Sequence, residues 1–369
     1  MTPERALGQN NLDGLQLRGP FHGAGGYDQL VRELARALHA RKQPLQLKDI
    51  SNWYPLRWPD ADLDPFFESM TQPVAARIRL HICMPPQVKT DRGLFHVNYT
   101  MFEADRVPDA WIRCNRRHDL VIVPHSECGD AWIRSGFAEA KIRICPQGVD
   151  ADRFQPGQVP LPLPKVVDRE VLSFRYRFLH IADYMPRKNL AGLLRVWLQA
   201  TRRNDDAILI CKINCSVAKW QKKMDSEIQQ VQEETGVTLD RAAPILFLRN
   251  LLLPPTAMPR LFACATHYWS MSFGEGWDLP MMEAAAGDLQ LIAPFHSSYR
   301  TYLNERYAWL IPTHQVAATF SWDRPTERLF RGTAWWQPDH DAAVDILRQI
   351  LQYDRRTVES ARASITAEY

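Results

Sequence analysis

Residues 274–283, Gly-Glu-Gly-Trp-Asp-Leu-Pro-Met-Met-Glu, hold two carboxylates, Glu275 and Glu283, with seven residues between them. Asp278 and Pro280 suit the start of a helix and place Glu283 just inside it, in the first turn. A helix N-terminus presents free N–H groups and a positive dipole end, so it can hold a diphosphate. A first-turn carboxylate can accept hydrogen bonds from ribose hydroxyls. The segment therefore suits a nucleotide diphosphate.

A basic turn follows a predicted strand in the second half of the chain, at residues 183–189, Asp-Tyr-Met-Pro-Arg-Lys-Asn. Departure of a nucleoside diphosphate builds negative charge, and fixed cations aimed at that charge stabilise the transition state without a metal. We predict Lys188 and Arg187 as these cations. The basic turn and the double-glutamate segment contain no Asp-x-Asp triplet and no histidine cluster that would bind a cation beside the diphosphate, so we expect neither a metal ion nor another cofactor.

Further candidate site residues lie in other segments of the sequence. In the first-half loop 23–26, the absent side chains of Gly25 and Gly26 would let the backbone approach a phosphate or a sugar, although a turn needed only for geometry is the alternative. Glu103 follows a predicted strand and could orient an acceptor, or could be a plain salt-bridged or capping residue. Leu279 and Ser297 complete the residues predicted to line a nucleotide-sugar site.

Several of these segments resemble family 4 of the retaining GT-B glycosyltransferases. The double-glutamate segment matches the family's donor-domain signature, and the basic turn is similar to its Arg-Lys-Asn turn. Residues 144–154 resemble a Pro-x-Gly-Val-Asp-x-x-x-Phe segment, and residues 99–108 resemble a Thr-x-Phe-Glu-x-Asp-x-x-Pro stretch. The chain departs from the family at Asp278, where glycine is more usual, and at Asp183, where the family commonly has an arginine.

The resemblance implies an α/β protein of the GT-B fold, two Rossmann-like domains whose parallel sheets face a central cleft. It implies a metal-independent hexosyltransferase that retains the anomeric configuration, with Glu275 at the transferred sugar and Glu283 at the ribose. The donor would be a GDP- or UDP-sugar of mannose or glucose type. The acceptor would be a saccharide or a lipid-linked molecule, in surface polysaccharide or glycoconjugate synthesis.

The elements that must position these residues alternate between strand-like and helix-like patterns, as parallel α/β domains require. Strands are predicted at residues 15–17, 45–50, 78–82, 96–101, 120–123 and 142–145, and then at 178–181, 207–212, 245–248 and 289–293. Helices are predicted at 27–40, with Leu30, Leu34 and Leu38 on one face, and at 131–135, 190–200 and 226–234.

A proline-rich stretch after Asp150 sets the predicted domain boundary. We expect an acceptor domain at 1–157, a donor domain at 158–350, and a C-terminal helix at 351–369 that packs back toward the first domain. The net charge of +3 is too weak to indicate nucleic acid as a partner. Without a signal peptide or a long apolar run, a cytoplasmic protein is expected, with association at the inner membrane face left open.

Two other classes compete with this interpretation. A dehydrogenase or epimerase is excluded because no complete GxGxxG fingerprint follows the first strand. A catalytically silent sugar-nucleotide-binding subunit remains an alternative.

Some smaller motifs have structural interpretations. Ser126 is predicted to cap a helix, and His22 and His81 to be hydrogen-bonded structural residues. The tryptophans at 53–58 and 335–336 could be carbohydrate platforms, but core packing is favoured for them.

Overall fold

The computed structural model describes residues 14–51, 53, 64–319, 328–352 and 358–369. Within them the chain divides into two compact units. The first comprises the described residues up to Thr100, together with 109–123 and 137–143. The second comprises 101–108, 124–136 and the described residues from Ile144 onward.

The first unit is built on a six-stranded sheet with the order β2-β1-β3-β4-β5-β6. Strands β1 to β5 pair in parallel throughout. The strands are β1 Gly14–Gly19, β2 Leu45–Asp49, β3 Ala76–Ile82, β4 Phe95–Tyr99, β5 Leu120–Val123 and β6 Ile142–Ile144. The helices of this unit are α1 Gly26–Ala40, α2 Pro65–Ser69 and α3 Asp109–Asn115.

Helix α1 begins one residue earlier than predicted, and its deepest face differs from the predicted one. Its fully buried residues are Asp28, Val31, Arg32 and Ala35. The leucines at 30, 34 and 38 are only half-buried. The apolar pattern predicted the helix correctly, but it could not show that two charged side chains are buried beneath it.

The second unit contains another parallel sheet, with the order β12-β11-β10-β7-β8-β9. Its strands are β7 Tyr176–Asp183, β8 Ala207–Asn214, β9 Ile245–Arg249, β10 His267–Trp269, β11 Gln290–Pro294 and β12 Ala308–Ile311. An antiparallel hairpin pairs β13 Thr313–Ala317 with β14 Ala334–Pro338. The helices are α4 Ser126–Arg134, α5 Leu190–Ala200, α6 Ala218–Thr235, α7 Met258–Phe262, α8 Leu279–Ala286, α9 Tyr299–Tyr302, α10 His340–Gln352 and α11 Arg362–Glu368.

The core of the second unit lies on both faces of its sheet. Along β7, Phe178 and Ala182 belong to one apolar cluster, whereas Leu179 belongs to the other. Because both faces are covered, strands such as β8 are buried along almost their whole length. This explains the uninterrupted apolar runs from which the strands were predicted.

The ends of the predicted strands and helices agree with the structure to within a few residues, apart from α4 and α6, which begin earlier than predicted, and the C-terminal helix, which is observed from Arg362. Strands β10 and β12 were not predicted. Helix α11 packs on α8, and the Arg362 guanidinium donates to the carbonyl oxygen of Phe154 at 3.3 Å. The domain limits at 157 and 350 stay predictions. Among the described residues, no helix is long and apolar enough to span a membrane.

Candidate active site

The strand order of the second sheet creates a crevice between β7 and β10. From β7 the chain continues outward to β8 and β9, whereas β10 leads in the other direction to β11 and β12. In an open parallel sheet, ligands bind beyond the carboxyl ends of the strands at such a switch point. The basic turn follows β7 directly, and the double-glutamate segment follows β10. Two segments far apart in sequence therefore meet at the expected ligand position.

Four charged side chains form the charged cluster of this site: Glu103, Arg187, Lys188 and Glu275. Glu275 accepts hydrogen bonds from Lys188 Nζ at 2.7 Å and from Arg187 Nη1 at 2.9 Å. Arg187 Nη2 lies 3.3 Å from a carboxylate oxygen of Glu103. The structure thus brings together all four residues predicted as catalytic.

The cluster is buried unevenly. The Glu275 side chain is 4% exposed and that of Arg187 10%, against 17% for Lys188 and 21% for Glu103. Arg187 Nη1 also donates to the carbonyl oxygen of Gly274 at 2.5 Å. Arg187 is therefore held between two carboxylates and a carbonyl oxygen, and Lys188 is the more accessible of the two cations.

Burial and pairing oppose each other in setting the pKa values here. Burial disfavours the ionised form of Glu275, but Lys188 and Arg187 overcome that cost and lower its pKa to about 2. Burial also opposes the charge of Arg187, and the two glutamates reverse the effect and raise its pKa. For Glu103, burial prevails over the attraction of Arg187, and its pKa is raised. Glu275 and Arg187 are thus an ionised pair.

The basic turn owes its shape to Asn189. This residue has a left-handed backbone, with φ of 54°, and caps α5 by accepting a hydrogen bond from Gly192 N. Its amide also donates to the carbonyl oxygen of Met271 at 2.9 Å. Asn189 therefore ties the basic turn to the loop after β10, which brings Lys188 to Glu275.

Helix α8 begins at Leu279, as predicted, but its start differs in two details. Asp278 is the N-cap residue, yet its side chain makes no capping hydrogen bond and instead accepts one from Tyr299. Glu283 is the fifth helical residue, so it lies in the second turn and not in the first. Glu283 is 3% exposed, and Leu279 is half-buried.

Ser297 lies beneath the double-glutamate loop. Its hydroxyl oxygen accepts a hydrogen bond from the backbone N–H of Glu275 at 3.3 Å and lies 2.7 Å from Nδ1 of His296. The other ring nitrogen of His296 is 2.8 Å from the carbonyl oxygen of Ser272. Ser297 was predicted as a nucleotide-lining residue, and in the structure it supports the loop that carries Glu275.

The predicted cap of α4 was wrong by one residue. His125 is the N-cap, and its Nδ1 accepts a hydrogen bond from Cys128 N at 3.2 Å, whereas Ser126 is exposed. Burial lowers the pKa of His125 to about 4. Hydrogen bonds with the backbone of Glu275 and Gly276 oppose this shift, because they favour the charged form. His125 thus neighbours the glutamate loop, although the sequence singled out Ser126.

The glycine loop of the first unit follows β1, at the point where the strand order turns between β1 and β3. Gly25 caps α1 and is buried, and Gly26, the first helical residue, is exposed. A buried pair braces the loop from inside: Asp28 accepts a hydrogen bond from Gly23 N at 2.6 Å, and Arg32 donates to the Gly23 carbonyl oxygen at 2.8 Å.

The aromatic candidates fall into two groups. Trp335 and Trp336 are 3% and 9% exposed, which confirms core packing. Of the tryptophan-rich segment 53–58, only Trp53 lies within the described residues, with its ring centroid 5.1 Å from that of Tyr27. In the described part of the chain, no three His, Cys, Asp or Glu residues are grouped as a metal site would require.

Known structures resemble the whole chain. Sucrose-phosphate synthase from Thermosynechococcus elongatus matches with a TM-score of 0.63 and 14% identity, over 96% of this chain and 94% of that one. Anabaena HepE in complex with UDP and glucose matches with a TM-score of 0.61 and 10% identity, over 97% and 95%. The lipopolysaccharide outer core galactosyltransferase WaaB matches with a TM-score of 0.57 and 12% identity, over 96% and 95%.

No protein-family model matches the sequence, and no curated protein matches it. The structural likenesses, all at low identity, establish the fold. The chain has the GT-B fold, with one Rossmann-like sheet in each unit.

Proposed function

We propose that this protein is a glycosyltransferase that moves a hexose from a nucleotide diphosphate sugar to a saccharide or lipid-linked acceptor. The observation that carries the proposal is the charged cluster at the switch point of the second sheet. There, a cation and a carboxylate meet beside the start of α8. A diphosphate needs such positive groups, and a sugar needs such acceptors.

The donor would lie with its diphosphate at the N-terminus of α8. Lys188 is the more exposed cation and would stabilise the leaving phosphate. Glu275 would contact the transferred sugar, and Glu283 the ribose. Leu279 and Ser297 would border the nucleotide-sugar, and Gly25 and Gly26 stay candidates whose backbone could contact a phosphate or a sugar.

Arg187 takes a different role in this proposal from the one that the sequence suggested. Its guanidinium is engaged by Glu103, Glu275 and the carbonyl oxygen of Gly274. It would therefore orient the two carboxylates, and Lys188 would supply the charge that meets the phosphate. Glu103, held by Arg187, would orient the acceptor.

For the reaction we propose retention at the anomeric carbon, with the leaving phosphate assisting deprotonation of the acceptor on the same face. This route needs no protein nucleophile, no cofactor and no metal ion. A UDP-hexose is the first donor to test, because the similar Anabaena HepE was solved with UDP and glucose. GDP-mannose is the second. Surface polysaccharide synthesis in the cytoplasm, at or near the inner membrane face, is the proposed setting.

The test is calorimetry of the purified protein against UDP and GDP, followed by nucleoside diphosphate release from UDP-glucose and GDP-mannose. We expect one diphosphate to bind without added metal, and Lys188→Ala and Glu283→Ala to weaken binding by about tenfold or more. Lys165→Ala is the matched control, because its side chain is 63% exposed and pairs only with Glu170 in the described structure.

Binding without turnover would favour the alternative, a sugar-nucleotide-binding subunit without catalytic activity. If a folded protein binds neither diphosphate, both the donor site and the proposed function are wrong.

A further inference from the structure

Asp278 has a left-handed backbone, which few residues other than glycine adopt. It lies between Glu275 and α8 with φ of 64° and ψ of 69°, in the left-handed region. Glycine adopts this conformation freely, and among other residues Asn and Asp adopt it most readily. The resembled family more often has glycine at this position. An aspartate therefore keeps the turn and adds a carboxylate to the loop.

That carboxylate is buried and only half satisfied. Asp278 is 7% exposed, and its Oδ2 accepts a hydrogen bond from the Tyr299 hydroxyl at 2.7 Å. The Tyr299 oxygen lies 2.8 Å from Oγ of Ser270, which can donate to it in turn. The other carboxylate oxygen, Oδ1, is buried and has no hydrogen-bond partner among the described residues. A buried ionised oxygen without a partner is costly.

The charges around Asp278 increase that cost. When Asp278 is added to the charged cluster, the site has three carboxylates, those of Glu103, Glu275 and Asp278. They face only two cations, Arg187 and Lys188. The titratable and charged groups that interact with Asp278 are Glu275, Arg187, Lys188, Tyr268, Tyr299 and Tyr302. The site thus carries an excess carboxylate at the place where the proposed donor brings further negative charge.

We propose that the donor diphosphate binds together with a proton, and that Asp278 is the group that holds this proton. This inference rests on the proposed function and deepens it. It predicts that the affinity of the site for a nucleoside diphosphate falls as the pH rises. Protonation removes the excess charge. It also gives Oδ1 a hydrogen with which to donate.

The electrostatics agree with this geometry. Burial, followed by the charge of Glu275, raises the pKa of Asp278 to about 6. Asp278 therefore favours its protonated form below about pH 6, and an anion bound nearby raises the pKa further. Binding of a diphosphate at neutral pH then takes up a proton from the buffer.

The experiment measures UDP and GDP affinity by calorimetry between pH 5.5 and pH 8, in pairs of buffers with different ionisation enthalpies. For the wild type we expect Kd to rise by up to about tenfold per pH unit above pH 6, with net proton uptake on binding. The diphosphate's own ionisation contributes equally in every variant, so differences between variants isolate Asp278.

Three variants separate charge from structure. Asp278→Asn keeps the size, the turn and an acceptor for Tyr299, so we expect it to abolish the extra pH dependence and the proton uptake. Asp278→Gly removes the charge and the hydrogen bond, and should lose both effects while loosening the loop in hydrogen exchange. Tyr299→Phe removes the hydrogen bond and keeps the charge, and should retain both effects.

Two negative results are distinguishable. If the wild type binds neither diphosphate even at pH 5.5, the proposed function fails and this inference fails with it. If the wild type binds and Asp278→Asn shows the same pH dependence and proton uptake, only the role of Asp278 is wrong.

Discussion

The two units bury polar clusters of opposite kinds. In the second unit the charged cluster pairs Glu275 with Lys188 and Arg187, so that ionised groups are buried together. In the first unit, the histidine cluster, His81, His96 and His118, is buried between β3, β4 and the turn before β5. The charged cluster is stabilised by its matched charges, whereas in the histidine cluster burial lowers the pKa values of His81 and His118 and so favours their neutral forms.

The histidine cluster is held by few hydrogen bonds. His81 Nε2 lies 3.2 Å from His96 Nδ1, and His96 Nε2 contacts the backbone of Asp91. Neither ring nitrogen of His118 has a hydrogen-bond partner among the described residues. Burial, reinforced by Arg18 and the neighbouring histidines, lowers the pKa of His81 to about 2.

The difference between the clusters predicts different failures. A buried ion pair is sensitive to the loss of one partner, because the other charge is left without compensation. Buried neutral histidines make the fold sensitive to acid, because in acid the unfolded chain binds protons that the folded chain does not bind.

The largest expected effect comes from unpairing the charged cluster. Arg187→Met leaves Glu103 and Glu275 facing Lys188 alone, and we expect a loss of about 3–5 kcal/mol in the free energy of unfolding. Urea denaturation measures this loss. Arg187→Lys keeps a charge at the position and should lose less. Adding Glu103→Gln to Arg187→Met removes one unpaired carboxylate and should restore part of the stability. Wild-type stability of Arg187→Met would show that the pairing contributes nothing.

How far the sequence predicted this site depends on the signal each segment carries. Strands β7 and β8 are long apolar runs and were predicted, as was the start of α8 at Asp278 and Pro280. Strand β10 was missed because His267–Trp269 is only three residues long and begins with a histidine. Yet β10 is the strand that completes the switch point, so the meeting of the basic turn with Glu275 could be expected only from the resemblance.

The sequence also failed to predict several buried polar side chains. Asp28 and Arg32 were missed because charged residues in an amphipathic helix are ordinarily assigned to the exposed face. Their burial depends on the backbone of Phe21 and Gly23, with which they pair. Likewise His81 was predicted as a hydrogen-bonded structural residue, and the structure gives it a bond to His96, but its three-membered cluster arises only when β3 and β4 pair.

A medium effect is expected from acid in both units, because burial lowers the pKa values of His125, His180 and His296 in the second unit to about 4. The folded-state pKa of His81 lies below its ordinary value of 6.5, so stability is present above pH 6.5 and is lost as the pH falls below it. Each such histidine costs up to about 1.4 kcal/mol per pH unit. Glu275, with its pKa lowered to about 2 from 4.5, loses nothing above pH 4.5, and protonation of Asp278 acts in the opposite direction.

Hydrogen exchange with mass spectrometry at pH 7 and pH 5 checks this comparison. After correction for intrinsic rates, peptides from β3 and β4 should lose protection at pH 5, and so should those from β7, which carries the buried His180. His81→Asn should reduce the acid effect in the first unit. If β3 and β4 lose as much protection in His81→Asn as in the wild type, the histidine cluster does not set the acid sensitivity of the first unit.

The smallest effect is expected from breaking an ion pair that is exposed to solvent. Arg300 lies 3.4 Å from Glu127 in the second unit, with side chains 48% and 26% exposed. Water and salt screen such a pair, so Arg300→Ala should cost under about 1 kcal/mol in urea denaturation, and less at high salt. Arg187→Met is the matched comparison, since both variants remove an arginine from a carboxylate. If Arg300→Ala were as damaging as Arg187→Met, neither the burial of Arg187 nor its second carboxylate partner would be what makes the charged cluster sensitive.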